Sequence, residues 1–313
     1  MYDSPRDANA QPFANLGKAF ARFFNKEARR PRFKKKGKCR ESFYVANDKF
    51  HVDGNTITLP RIGKVKMREA LRFQGKVTGA TVSRTADRWF VAISVEVELP
   101  LVPCENQART VGVDLGVRRL ATISDGTFME GPKPLRSTLK RLARLSRRLH
   151  RKVPGSNNRA KAAMRVARCH ARVVSMRGDA LHKLTTALVR TYGRIVIEDL
   201  NVKGMVRNRR LARAVSDMGF GEFRRQLAYK ADPSLTKLVV ADRWFPSSKL
   251  CLNCGTLHDG LTLKNRTFKC NGCSHVEDRD LHAARNLERY PGLQGNLDAC
   301  GHLSAGQPTK VDW

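Results

Sequence analysis

Four cysteines form the most specific chemical pattern in the chain. They are arranged as two Cys-x-x-Cys pairs separated by fifteen residues, and they are Cys251, Cys254, Cys270 and Cys273. Each pair can present two thiolates from one tight turn. Four thiolates complete the tetrahedral coordination of Zn²⁺ and leave no position open for a substrate. The spacing predicts a structural zinc ribbon, and two redox-active pairs are the alternative interpretation.

Three carboxylates lie at the expected ends of secondary-structure elements in a chain that is poor in acids. Asp114 lies in an apolar strand, Glu198 ends another, and Asp280 begins a helix after the cysteines. Each has a plain structural alternative: an Arg partner for Asp114, a strand-end acid for Glu198 and a helix N-cap for Asp280. Together, such acids can hold two divalent ions about 4 Å apart, which activate water in phosphodiester cleavage. The residues by themselves leave both interpretations open.

The charge balance indicates the kind of partner. The 313 residues include 60 Lys or Arg and 28 Asp or Glu, which gives a formal net charge of +32. Self-repulsion of this size destabilises a compact chain unless a polyanion covers its surface, so a DNA or RNA partner is expected rather than a small-molecule substrate. The 41% of hydrophobic residues predicts a folded core.

The compartment is inferred from two further features. The sequence has no apolar run of about 18 residues, so we expect no membrane partner. The polar first residues carry no secretion signal, and four of the eight cysteines cluster at metal-binding spacing. We therefore expect a cytoplasmic protein.

The basic side chains are concentrated in three segments. The first segment, residues 29–40, is a basic loop in which Phe33 offers a stacking surface. The last is the connection at residues 203–213. Between them, residues 131–178 contain fifteen Lys or Arg and no acid. Solvated helices usually mix charges of both signs, so this pattern favours contact with a phosphate backbone. The residues expected to bind nucleic acid are Arg30, Arg32, Lys34, Lys35, Lys36, Lys140, Arg141, Arg144, Arg147, Arg148, Arg209 and Arg210.

The hydrophobic pattern predicts the elements that position these groups. A first helix is predicted over residues 12–24, and we interpret its apolar residues as core packing because they recur at helical spacing. These residues are Phe13, Leu16, Phe20, Phe23 and Phe24. Short alternating strands between residues 42 and 100 predict a small antiparallel, β-barrel-like domain. From residue 109, apolar strands alternate with helices at about 134–149, 159–192 and 220–231, a pattern typical of an α/β domain.

Several consecutive segments resemble the motifs of one protein family. The segments are VGVDLGVRRLATIS, IVIEDLNVKGMVRNRRLARAVSDMGFGEFRRQL, RWFPSSKLCLNCG and CSHVEDRDLHAARNL. In this order, over about residues 20–287, they resemble the OrfB/TnpB proteins of insertion sequences, which are called transposases and are similar to the nuclease half of type V CRISPR effectors. The resemblance implies a ribonuclease H-like (RuvC) α/β fold with a mixed sheet and an inserted zinc ribbon. It also implies a Mg²⁺-dependent DNA endonuclease that acts in transposition with a guide RNA from the element end.

The resemblance also implies residue roles. The family's metal-binding acids fall on Asp114, Glu198 and Asp280, with Asp278 as the alternative to Asp280. His282 stands where the family usually has Asn. The chain starts at the helix before the PRFKKKG segment, so it is expected to be short at its N-terminus.

Two other functions are compatible with the same residues. One alternative is a cleavage-inactive or truncated, zinc-containing nucleic-acid-binding regulator of transposition, and another is a transposase that joins DNA ends with the same acids. The chain is expected to divide into five segments. Residues 1–108 form a truncated nucleic-acid-binding domain with the first helix, the basic loop and the barrel-like strands, and residues 109–247 form a nuclease domain with a basic helical hairpin. A zinc ribbon at 248–277, a C-terminal nuclease helix at 278–295 and a flexible tail at 296–313 follow.

Overall fold

A computed structural model describes residues 6–33, 35, 39, 41–98, 103–261 and 265–291, with only the backbone for residues 6–8. The described residues divide into two compact units. The first unit lies within residues 1–99 and 145–171, and the second lies within residues 100–144 and 172–313. Lys34, Lys36 and the expected tail at 296–313 fall outside the described residues. The five-segment division made from the sequence stays a prediction.

The first unit has the antiparallel strands that the alternating pattern predicts. Its six strands form two three-stranded sheets, with the orders β1-β5-β6 and β2-β3-β4. The strands are β1 (Ser42–Ala46), β2 (His51–Asp53), β3 (Thr56–Leu59), β4 (Gly63–Lys66), β5 (Lys76–Thr85) and β6 (Arg88–Glu96). Buried side chains of both sheets, among them Val45, Ile57 and Val82, share one small core. Buried residues alternate with half-buried ones along β3, as expected for a sheet with one face on a core.

The helix α1 (Arg6–Phe24) precedes these strands and is six residues longer at its start than predicted. Phe13 is 77% exposed and Phe24 is 72% exposed, and Leu16 is also exposed. The core-packing interpretation is therefore wrong for these three side chains, whereas Phe20 and Phe23 are half-buried. Helical spacing defines an apolar face of a helix, but it does not decide whether another element covers that face.

The second unit is built on a five-stranded mixed sheet with the order β11-β10-β7-β8-β9. The strands are β7 (Asn106–Asp114), β8 (Ala121–Ile123), β9 (Phe128–Met129), β10 (Tyr192–Glu198) and β11 (Lys237–Ala241). β7, β10 and β11 run parallel, and β8 and β9 continue the sheet in antiparallel pairs. The mixed sheet of the expected ribonuclease H-like fold is confirmed.

Most helices fall close to their predicted positions, but two short helices within residues 202–218 lie where the sequence predicts a connection. The helices that follow α1 are α2 (Pro134–His150), α3 (Asn157–Thr191), α4 (Val202–Arg207), α5 (Ala212–Met218), α6 (Phe220–Ala231) and α7 (Arg279–Glu288). The boundaries of α2, α3 and α6 agree with the sequence prediction to within two residues. The two short ribbon strands β12 (Thr267–Lys269) and β13 (Val276–Asp278) pair antiparallel just before α7.

Side chains cover both faces of the mixed sheet. Ile195 and Ile197 of β10 belong to the main core, together with Phe223 and Leu227 of α6. Val196, between them, lies in a separate cluster with Leu287 of α7 on the opposite face. Successive strand residues point to opposite faces, so a strand covered on both sides reads as a continuous apolar run. This explains the uninterrupted IVI segment before Glu198.

Candidate functional site

Strand pairing places Asp114 and Glu198 side by side. β7 and β10 are parallel neighbours, and Val113 of β7 pairs with Ile197 of β10. Asp114 and Glu198 are the next residues along, and each is the last residue of its strand. Both carboxylates therefore end their strands at the same edge of the sheet. The sequence predicts this for Glu198, whereas it places Asp114 inside its strand.

A close backbone approach brings α7 to this edge. A Cβ atom on Gly112 would lie 1.9 Å from the carbonyl oxygen of Ala284 and 2.4 Å from the backbone nitrogen of Glu288. Only glycine permits this contact between β7 and α7. Asp114 follows Gly112 by two residues and shares its strand face, and Asp280 precedes Ala284 by one helical turn. The contact therefore orients the first turn of α7 towards Asp114.

The carboxylates at the edge influence one another electrostatically. Burial is the main reason why the pKa of Asp114 lies well above its usual value, and the charges of Glu198 and Asp280 raise it further. Burial also raises the pKa of Glu198, against a hydrogen bond from Ser247 and the charge of Arg279. Because both carboxyl groups resist ionisation in the metal-free protein, a bound cation would favour their charged forms. This oxygen donor set has the chemistry that a hard divalent ion such as Mg²⁺ needs.

The spacing of the acids differs from that of a compact single-ion site. Within the part of the chain that the structure describes, two residue groups bring three or more ligand atoms within 4.8 Å of one another. These groups are the four cysteines and the set His275, Glu277 and His282, so the three acids are spread more widely. A wider spread is compatible with ligands shared between two ions.

The structure distinguishes the two aspartates at the start of α7. Asp278 is the N-cap: its Oδ1 accepts hydrogen bonds from the backbone nitrogens of Asp280 at 3.0 Å and Leu281 at 3.2 Å. Oδ2 of Asp278 lies 3.7 Å from Arg119. The structural alternative for Asp280, an N-cap role, is therefore wrong, because Asp278 has that role. The role of Asp280 as the third metal ligand stays a prediction. The alternative ligand, Asp278, uses its carboxylate to cap α7.

Ser247 and Asn286 support the site and were not singled out from the sequence. The hydroxyl of Ser247 donates a hydrogen bond to Oε1 of Glu198. The side-chain nitrogen of Asn286, on α7, donates to the backbone oxygens of Ser247 at 2.6 Å and Leu250 at 2.8 Å. These bonds link α7 to the loop that orients Glu198. Both residues lie within segments that resemble the family motifs, RWFPSSK and LHAARN. Their place in these segments is the feature of the sequence that could have identified them.

The four cysteines converge as their spacing predicts. The sulfurs of Cys251 and Cys273 are 3.6 Å apart, and those of Cys254 and Cys270 are 3.5 Å apart. All four sulfurs lie within 4.8 Å of one another. Tetrahedral zinc with bonds of about 2.3 Å to sulfur separates its ligands by about 3.8 Å. The arrangement fits one zinc ion.

The thiols of the cysteine group influence the ionisation of one another. A hydrogen bond with Thr256 is the main reason why the pKa of Cys254 falls to about 6. The pKa of Cys273 rises to about 12 although a backbone hydrogen bond near His275 lowers it, because desolvation and the neighbouring sulfurs oppose a second negative charge. Zinc binding would remove this conflict, since metal-bound thiols are deprotonated.

His282 lies in the interior of the protein. The side chain is buried, and its Nε2 lies 2.7 Å from the backbone oxygen of Leu250. Burial lowers the pKa of His282, against its hydrogen bonds with Leu250 and Glu277. The ring therefore connects α7 with the ribbon.

The predicted nucleic-acid-binding residues are exposed wherever the structure describes them. They are Arg30, Arg32, Lys35, Lys140, Arg141, Arg144, Arg147, Arg148, Arg209 and Arg210. Arg209 and Arg210 border a cavity of about 320 Å³ together with Arg136 and Arg213 of the same unit. In the first unit, Arg148 borders a cavity of about 380 Å³ whose other basic residues are Arg151, Lys152, Lys161 and Arg165.

Two exposed aromatic side chains accompany the basic surface. Phe33 is 93% exposed, as expected for a stacking residue in the basic loop. Trp244 is 85% exposed and lies three residues before Ser247, which orients Glu198. The sequence interpretation did not single out Trp244. An exposed indole ring can stack on a nucleobase.

Comparisons with known proteins agree with this geometry. The OrfB_IS605 family model, described as "Probable transposase", matches residues 91–209, and the Cas12f1-like TNB domain model matches residues 220–287. A Streptomyces pristinaespiralis protein named "Putative RNA-guided DNA endonuclease" is 42% identical over 295 residues, which cover 93% of this chain and 72% of the relative. "Putative RNA-guided DNA endonuclease InsQ" of Escherichia coli (strain K12) is 35% identical over 328 residues, which cover 100% of this chain and 80% of the relative.

A solved structure supports the fold. The protein of the "Cryo-EM structure of the Cas12f1-sgRNA-target DNA complex" matches with a TM-score of 0.56 and 14% identity, over 88% of this chain and 69% of that one. The fold is therefore the ribonuclease H-like (RuvC) mixed sheet with an inserted four-cysteine ribbon. The chain belongs to the OrfB/TnpB family of insertion-sequence proteins. Among the described helices, none has the length and apolar character needed to cross a membrane.

Proposed function

We propose that this protein is a Mg²⁺-dependent, RNA-guided DNA endonuclease that acts in the transposition of an insertion sequence. The observation that supports the proposal is that Asp114 and Glu198 end neighbouring parallel strands at one edge of the mixed sheet, and that the charge of Asp280 on α7 acts on Asp114. Two relatives, at 42% and 35% identity, are named for RNA-guided DNA cleavage. The proposed place of action is the cytoplasm, on nucleoid DNA.

The three acids are the proposed ligands of Mg²⁺. Bound magnesium would supply an activated water and stabilise the leaving oxygen of the phosphodiester. Ser247 keeps Glu198 oriented through its hydrogen bond, and Gly112 allows α7 to bring Asp280 close to Asp114. The raised pKa values of Asp114 and Glu198 support the assignment, because perturbed carboxylates often mark functional sites.

The basic surfaces are the proposed contacts to guide RNA and target DNA. In RNA-guided recognition, base pairing reads the sequence and the protein holds the backbone, so a strongly basic protein suits this role. The exposed arginines of α2 and the segment before α5 are proposed to bind phosphates. The cysteine ribbon is proposed to hold one structural zinc ion, because four thiolates leave no open coordination position.

Cleavage of a matched plasmid tests the proposal. The full chain, purified with the guide RNA from its element end, should cut the plasmid in Mg²⁺ and not without it. Asp114→Ala should abolish cutting. Asp179→Ala is the matched control and should retain it, because Asp179 is an exposed acid paired with Lys183 at 2.8 Å on α3.

The same experiment distinguishes the rival functions. If Asp114→Ala cuts as fast as the parent, the assignment of the acids is wrong. Tight RNA binding without Mg²⁺-dependent cutting would favour the regulator instead. Joining of element ends by the protein alone would favour a transposase.

A further inference from the structure

A second group of metal-binding side chains lies between the ribbon and α7, apart from the cysteines and the acids. One ligand atom from each of His275, Glu277 and His282 lies within 4.8 Å of the other two. We propose that these three side chains bind a second zinc ion. The inference does not depend on the proposed nuclease function.

The distances agree with zinc coordination. Oε2 of Glu277 is 3.5 Å from Nε2 of His275 and 3.2 Å from Nδ1 of His282. Tetrahedral zinc with bonds of about 2.0–2.1 Å to nitrogen and oxygen places its ligand atoms about 3.3–3.4 Å apart. The two measured distances lie on either side of this value. Two imidazoles and one carboxylate form a ligand set that zinc uses in proteins.

The hydrogen bonds of His282 determine which of its nitrogens can bind a metal. Nε2 lies 2.7 Å from the backbone oxygen of Leu250. A carbonyl oxygen only accepts hydrogen bonds, so Nε2 must carry the proton. In the neutral ring, Nδ1 then presents a lone pair to the carboxylate of Glu277. Two acceptors face each other, and a cation or a second proton is needed between them.

His275 favours the metal over the proton. Its Nε2 is buried and has no hydrogen-bond partner among the described residues. Buried polar atoms are seldom left unpaired in native proteins. A second proton on His282 would satisfy Nδ1 but would leave Nε2 of His275 unpaired. A zinc ion would use both nitrogens and the carboxylate oxygen.

Neighbouring groups orient the three ligands. The ring of Phe268 stacks on His282 with a centroid distance of 3.8 Å and an angle of 13°. Arg285 bonds Oε1 of Glu277, so Oε2 is the oxygen that faces the histidines. Such supporting contacts usually accompany metal ligands.

The position of the site suggests what the ion would do. Glu277 lies in β13 of the ribbon, His275 directly precedes that strand, and His282 lies on α7 two residues after Asp280. An ion shared by these residues would join the ribbon to the helix that carries Asp280. The second zinc would therefore be structural.

Zinc content of the purified full chain, measured by elemental analysis without added metal, tests the inference. The parent should contain two zinc ions per chain. His275→Asn and Glu277→Gln should each contain one. His258→Asn is the matched control and should contain two, because His258 is another buried ribbon histidine whose Nε2 already accepts a hydrogen bond from Asn271 at 3.2 Å.

Cobalt substitution checks that the variants keep the cysteine site. Co²⁺ bound by thiolates gives charge-transfer absorption that nitrogen and oxygen ligands do not give, so the variants should retain this absorption. One zinc ion per chain in the parent would overturn the inference, and so would two in both variants. Because no DNA is present, neither result depends on whether the protein cuts DNA.

Discussion

Replacing Asp114 with Asn should stabilise the protein in the absence of Mg²⁺. The folded-state pKa of Asp114 is raised above its usual value of 3.8, mainly by burial and then by Glu198 and Asp280. When the folded-state pKa of an acid is raised, its contribution to the stability of the folded protein is complete at pH values below the pKa of the unfolded state. This contribution is lost as the pH rises through the folded-state pKa. The stability difference between Asp114→Asn and the parent should therefore be near zero at about pH 4 and should grow with pH.

The magnitude follows from the surroundings of the carboxylate. Asp114 is half-buried and faces two like charges, with Arg279 as an opposing charge nearby. An incompletely compensated group in such surroundings costs about 1–3 kcal/mol. In a unit of this size, 1 kcal/mol shifts the Tm by roughly 2–4 °C, so we expect a gain of about 2–12 °C near pH 8.

Magnesium should reverse the order of stability. Asp114→Asn removes a proposed ligand, so Mg²⁺ should raise the Tm of the parent far more than that of the variant. A ligand at a hundred times its Kd stabilises a protein by about 2.7 kcal/mol. Thermal unfolding between pH 5 and 8, with and without Mg²⁺ and without a chelator that would remove zinc, measures both effects.

A matched control and two refuting results complete this test. Asp179→Asn removes an exposed acid and should shift the stability by less than about 0.5 kcal/mol, with no pH trend or Mg²⁺ effect. If Asp114→Asn is less stable than the parent without Mg²⁺ across this pH range, the electrostatic argument is wrong. If Mg²⁺ stabilises both proteins equally, Asp114 is not a ligand.

Three further predictions concern the supports of the site and its surface. Gly112→Ala should abolish folding or cleavage, because the added Cβ would collide with backbone atoms of α7. Gly178→Ala is the control and should fold and cleave normally, because the space at its Cβ is open. Circular dichroism and cleavage assays measure the two effects. Asp217→Ala should lower the free energy of unfolding by about 2–4 kcal/mol, as measured by denaturant unfolding. The reason is that this buried carboxylate accepts hydrogen bonds from the first turn of α2 and pairs with Arg177. A loss below about 0.5 kcal/mol would contradict this role. Trp244→Ala should weaken single-stranded DNA binding by about 1–3 kcal/mol in a fluorescence titration, and unchanged affinity would exclude stacking by this ring.

The sequence by itself was sufficient for features that depend on nearby residues. The spacing of the four cysteines predicted their convergence, since each pair needs only one tight turn and the ribbon closes over a short distance. The helical and alternating patterns predicted α2, α3, α6 and the strands of both units, because backbone geometry sets their periodicity. The acids at strand ends could be selected for the same reason.

Only the tertiary structure decided which distant residues meet. The parallel pairing of β7 with β10 joins segments about eighty residues apart, and the contact of Gly112 with α7 spans a longer separation. Two further features were visible only in the folded chain: Asp278 rather than Asp280 is the N-cap of α7, and Phe13 is exposed. Hydrophobic periodicity reports which face of an element is apolar, but burial, pKa shifts and ligand geometry depend on what packs against that face. His275, Glu277 and His282 are close in sequence, but the orientation of His282 depends on its contacts with Leu250 and Phe268 of the ribbon.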